Sequence, residues 1–140
     1  MQFSTAAIAA ILSASSVFAA PAAIPGWTMT GLKRVCNAAD TSCTWSFGIN
    51  TNTGAAVTPC SFVITGSPAD HSNTSGTKAC GTFSVTAGWS GQFGPGNGFT
   101  TLAVYNNANK QIAWPAYTDA ELGSAGAVVS PDKTWAVTQM

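Results

Sequence analysis

The residue types that carry acid–base, nucleophilic or metal chemistry are scarce in this chain: one histidine, five acids and four cysteines among 140 residues. His71 follows Asp70 in the polar stretch SPADHSNTSG, beside Asn73. A lone loop imidazole supplies one metal ligand where a site needs three or four. It also has no Ser nucleophile in a G-x-S-x-G turn to activate. Glycoside hydrolysis through paired carboxylates requires two acids facing each other at about 5–9 Å. Asp119 and Glu121 lie two apart on one predicted helical turn, where side chains do not face each other, and they read as surface or capping groups. The expectation is a protein with no catalytic residues, no metal and no cofactor. A small hydrolase would need His71 and a pair of acids to converge in one cleft.

The cysteines are expected to be spent on structure. Cys36, Cys43, Cys60 and Cys80 have neither zinc-ligand nor redox CxxC spacing, and an even count in a small extracellular chain reads as two disulfides. Cys36 and Cys43 flank the turn-rich NAADTS, while Cys60 and Cys80 flank one strand and a polar loop. Sequential pairing, Cys36 with Cys43 and Cys60 with Cys80, is therefore preferred over the two other connectivities.

The stretch WSGQFGPGNGFTTLAVY, residues 89–105, sets glycines and a proline between aromatic residues. It lacks the Lys-Ser/Thr of a phosphate loop and leads into a strand pattern rather than a helix, so nucleotide binding is not expected. The first reading is a tight connection with glycines at positive φ. The second adds a surface role, in which Trp89, Phe93, Trp114 and Tyr117 offer aromatic faces to a sugar ring or a partner protein. Trp89 shares a period of two with Phe83, Val85 and Ala87, which predicts a core position. Phe93 and Tyr117 sit beside turn residues and are the expected contact pair.

These groups must be positioned by strands. Trp45, Phe47 and Ile49 alternate with Thr44, Ser46 and Gly48, and the same alternation runs through 82–87 and 99–105. Strands are predicted near 27–35, 43–51, 56–65, 80–89, 98–106, 110–114 and 134–138, with one short helical turn at TDAEL, 118–122, capped by Thr118 or Asp119. The fold class that follows is all-β, a small single-domain antiparallel β-barrel or β-sandwich with two disulfides.

Composition fixes the compartment. Five basic residues balance five acids, and charged residues make up 7% of the chain, against roughly 25% in an average soluble domain. No basic stripe exists to hold phosphates, which argues against nucleic acid as a partner. The apolar run FSTAAIAAILSASSVF ends in the small-residue pattern VFAAP and is too short to span a bilayer. Residues 1–19 are expected to be a signal peptide and 20–140 a secreted, extracellular β domain without a membrane span. Asn73-Thr-Ser75 is a complete sequon in the most loop-like segment, 66–79, and predicts N-glycosylation at Asn73.

Four strings, CNAADTSCTWSFGINTNTG, TPCSFVITG, GWSGQFGPGNGFTTL and WPAYTDAEL, together resemble the small secreted proteins of filamentous fungi described as hypersensitive-response-inducing protein elicitors. The likeness runs from about Trp27 to Val137. A more remote similarity is to the major Alternaria allergen family of secreted β-barrels, in which a strand cysteine is followed after a polar loop by Cys-Gly, as in Cys60 and Cys80-Gly81. That family's further C-terminal cysteine pair has no counterpart after Cys80. The elicitor resemblance implies a non-catalytic virulence-associated effector recognised by plant cells, with a plant cell-surface or apoplastic protein as its partner. A carbohydrate-binding or cell-wall-associated module, with a cell-wall polysaccharide as partner, is the alternative.

Overall fold

The computed structural model describes residues 23–140; the expected signal peptide lies outside them. Within that range ten strands form two antiparallel sheets. One contains β1 (Trp27–Cys36), β2 (Ser42–Asn50), β3 (Thr58–Thr65) and β9 (Lys133–Trp135), in the order β3-β2-β1-β9. The other contains β4 (Lys78–Cys80), β5 (Phe83–Ser90), β6 (Phe99–Asn106), β7 (Gln111–Ala113) and β10 (Val137–Gln139), in the order β10-β7-β6-β5-β4, with β8 (Ala116–Thr118) also pairing with β6. The architecture is a β-sandwich.

Both flanks of the sandwich are tied. At one flank the chain leaves β9 in the first sheet and enters β10 in the second across the single residue Ala136. At the other, Cys60 on β3 is bonded to Cys80 on β4, so the outermost strands of the two sheets are joined covalently rather than by a ladder. The second disulfide, Cys36–Cys43, links directly opposed residues of β1 and β2. The sequential pairing read from the cysteine spacing is the one observed.

Alternation holds wherever a strand lies over the core. Trp45, Phe47 and Ile49 on β2, Phe62 and Ile64 on β3, and Leu102 and Val104 on β6 are all buried. The Trp27 and Phe83 rings meet edge to face at 5.3 Å and connect the two sheets through the interior. On β1 the alternation changes phase. Trp27 and Met29 point inward, then Leu32 and Arg34 do, because two residues of β1 oppose one of β2 between the Thr30–Gly48 and Lys33–Ser46 pairs. Gly31 takes φ +57° at this bulge, a conformation that favours glycine. The bulge sends a guanidinium into the interior.

The helical turn is α1 (Asp119–Leu122), with Thr118 as its N-cap. Glu121 N donates to Thr118 Oγ1, and Thr118 N donates to the Glu121 carboxylate, closing a capping box. A second short helical element, the 3-10 turn Ala69–His71, lies in the segment expected to be pure loop. That segment is anchored. Asp40 accepts from the backbone of Ala69 and Asp70, and Thr74 and Asn73 extend the hydrogen bonding along β5 past the end of β4.

Candidate functional site

The hairpin loop 91–98 joins β5 to β6, whose last pair is Ser90 with Phe99. Gly94 and Gly96 adopt φ +96° and +82°, as the tight-connection reading requires. The loop also does more than connect. Its backbone forms one wall of a cavity of about 480 Å³, whose other wall consists of His71, Trp89 and Asp119. A Cβ at Gly91 would overlap the Trp89 ring, and one at Gly98 would overlap both that ring and the Asp119 carboxylate. Glycine at these two positions is what lets the backbone close against the indole.

Trp89 is half-buried rather than core. The period of two that links it to Phe83, Val85 and Ala87 is real, but the indole lies against Gly91, Gly98 and His71 rather than within the core cluster. His71 covers one face, with ring centroids 4.1 Å apart and planes 13° from parallel. The Trp89 Nε1–H donates to Asp119 Oδ2 at 2.8 Å. Trp89 N donates to Asn73 Oδ1 at 2.9 Å, so the sequon asparagine fixes the base of the same residue while remaining exposed.

Asp119 is neither a cap nor an idle surface acid. Its Oδ1 accepts from Arg34 Nη1 at 3.2 Å, and its Oδ2 lies 3.3 Å from His71 Nε2 in addition to the indole bond. Arg34 is 1% exposed, a state a guanidinium tolerates only when paired and hydrogen-bonded. It donates from Nε and Nη2 to Gly123 O and from Nη1 to Asp70 O, and it packs over the Trp45 ring. Asp70 lies beside His71, its Oδ1 3.9 Å from Nε2, and burial and a hydrogen bond with the Asp40 side chain hold its carboxyl above the usual carboxylate range. Arg34 was not singled out in the sequence, and Asp70 entered only as the neighbour of His71. The one available signal was a basic residue at an inward strand position, and the bulge at Gly31 hides that phase.

His71 and one acid, Asp119, therefore meet in one cleft, while Asp70 lies beside His71 but outside the lining. The residues lining the cleft do not include the pair of acids that the hydrolase reading required. Both Asp119 oxygens are committed to donors, and no hydroxyl or thiol is among the described residues lining the cavity. Asp40 lies beside Cys36 and Cys43, but their sulfurs are oxidised and offer no thiolate to a metal.

The opposite side of loop 91–98 carries Phe93. It is 66% exposed and stacks on Phe99 at 5.7 Å over a shallow apolar groove of about 220 Å³ that Tyr117 also lines. The two members of the expected contact pair are thus neighbours, but they are not alike. Tyr117 is 1% exposed, its hydroxyl accepts from Trp135 Nε1 at 3.2 Å, and it belongs to the core. The turn residues flanking it suggested a surface position, whereas β8 pairs with β6 and turns the ring inward. Trp114 is 47% exposed and lines neither the cavity nor the groove.

The sequence profile of a family described as Effector TSP1 matches residues 28–140, which take in β2 to β10 and all of β1 but Trp27. The chain belongs to the Effector TSP1 family. It is similar along its length to a protein of Hypocrea virens (strain Gv29-8 / FGSC 10586) named Effector TSP1, with 46% identity over 144 residues that cover 97% of each chain. Membership in this fungal effector family supports a non-enzymatic protein, in keeping with a cleft whose one carboxylate, Asp119, is tied up in holding Arg34 and Trp89. Among the described residues no helix is long and apolar enough to cross a membrane.

Proposed function

We propose that this protein is a secreted effector that plant cells perceive through its displayed surface, and that perception provokes hypersensitive cell death and defence without turnover of a substrate. The observation that carries this reading is the end-to-end match to a protein named as an effector. The resemblance of four separate strings to hypersensitive-response elicitors supplies the response. Phe93 and Trp114, the most exposed aromatic side chains on the described surface, are the contacts offered to a plant cell-surface or apoplastic protein. Secretion through removal of residues 1–19 and an N-linked glycan on the exposed Asn73 belong to the same proposal.

The test is infiltration of purified folded protein into leaves beside the same protein reduced and alkylated. Local cell death with the folded form alone is expected. Equal responses to both forms would remove the folded surface from the account, and no response to either would remove elicitation.

A further inference from the structure

The cavity between loop 91–98 and the His71–Trp89 stack has the volume of a small-ligand pocket, which is typically about 300–1,000 Å³. Its walls specify what would fit. One wall is aromatic, with the indole and imidazole held parallel by the Asp119 bond, and the exposed Pro95 ring stands at the mouth. The other is bare backbone. At Gly94 and Gly96 no atom lies within 4 Å of the place a Cβ would occupy, so a ligand can approach the peptide groups directly.

Charge narrows the ligand further. The carboxylate within the cavity is already compensated by the buried guanidinium of Arg34, so it offers no uncompensated negative charge to attract a cation. An anion would meet the Asp119 carboxylate, and no lysine or arginine is among the described residues lining the cavity to receive it. What remains is an uncharged molecule with an apolar face to lie on rings and several hydroxyls to meet an imidazole and peptide groups. A pyranose ring has both.

We propose that this cavity is a binding site for a neutral pyranose sugar, one ring of an uncharged oligosaccharide. The inference rests on the cavity alone and is independent of the elicitor reading. Trp89 and Pro95 contact the ring faces, His71 bonds a hydroxyl, and Gly96 supplies peptide groups, whereas Gly94 N–H already donates to Gly91 O and Gly94 O accepts from Asn97 N within the loop. Asp119 is a positioning residue that orients the indole.

The experiment is a titration of ¹⁵N-labelled protein with chitohexaose, laminarihexaose and cellohexaose separately, which distinguishes chitin, β-glucan and cellulose as sources, and with tetragalacturonate as the charged counterpart. At least one neutral probe is expected to shift the Trp89 indole N–H together with the Gly94 and Gly96 amides, while tetragalacturonate leaves them in place. His71→Ala should weaken that probe roughly tenfold, equivalent to about 1.4 kcal/mol. Pro95→Asp, at an exposed loop position where folding is not in question, should weaken it at least as much. Absence of shifts with all three neutral probes would overturn the proposal. So would shifts that map elsewhere, equal binding of tetragalacturonate, or wild-type affinity in Pro95→Asp.

Discussion

Arg34 and Asp119, separated by 85 positions in sequence, meet at 3.2 Å between the interior of β1 and the first turn of α1. This pair connects the core to the cavity. The guanidinium is held from three sides, by Asp119, Gly123 O and Asp70 O, and the carboxylate it neutralises in turn fixes Trp89.

Asp119→Asn should therefore destabilise the fold even though the residue is at the surface of a cleft. It leaves the buried guanidinium without its counter-charge, for which a loss of about 1–3 kcal/mol is expected. Urea denaturation measures it. A midpoint equal to wild type would mean that the two carbonyls alone satisfy Arg34.

The two disulfides should differ in worth. Cys60–Cys80 closes 20 residues of sequence and joins the two sheets, while Cys36–Cys43 closes 7 within one hairpin. Chain entropy gives about 3.3 kcal/mol for the longer loop and about 2.4 kcal/mol for the shorter. The double Ser variant at Cys60 and Cys80 is expected to melt lower than the one at Cys36 and Cys43. The reverse order would show that closing the sandwich flank adds little.

The strands were legible because a half-buried strand writes its burial as an alternation. β2, β3, β5 and β6 lie within a few residues of where the period of two put them. The short helical turn was legible in the same local manner from its candidate cap, Thr118 or Asp119, and the structure makes Thr118 the cap and adds Glu121 as the partner in a capping box. The cavity was not legible. It depends on a one-residue bulge at Gly31 and on contacts such as His71 with Trp89 and Arg34 with Asp119 that no local pattern encodes. Tyr117 was misplaced for the related reason that a three-residue strand is too short to show a period.

Stability should fall at both ends of the pH scale. Burial pushes the Tyr117 hydroxyl up to about 12 from 10.0, so its contribution is complete below pH 10 and is lost as pH rises toward 12. For Glu121, burial opposes ionisation, but the Lys133 ammonium and the Thr118 N–H and hydroxyl outweigh it and hold the carboxyl below its ordinary 4.5. That contribution is present above pH 4.5 and disappears as pH drops through the lowered value. Thermal melts across pH check both limbs. Tyr117→Phe should flatten the alkaline limb and Glu121→Gln should reduce the acid one; unchanged limbs would contradict the assignment.

Neighbouring aromatics should separate core from surface. Tyr117→Ala is expected to cost roughly 3–5 kcal/mol, as for other buried aromatic truncations. Phe93→Ala, across the same groove, should stay within about 0.5 kcal/mol of wild type. Equal losses would place Phe93 in the core.

Leaf infiltration of His71→Ala beside Phe93→Ala, each first shown to be folded by circular dichroism and thermal melting, tests perception of a displayed surface most directly. The account predicts that His71→Ala provokes cell death as wild type does, since no proton transfer is involved, and that Phe93→Ala provokes markedly less. A folded His71→Ala protein that is wholly inactive, with Phe93→Ala fully active, would contradict it.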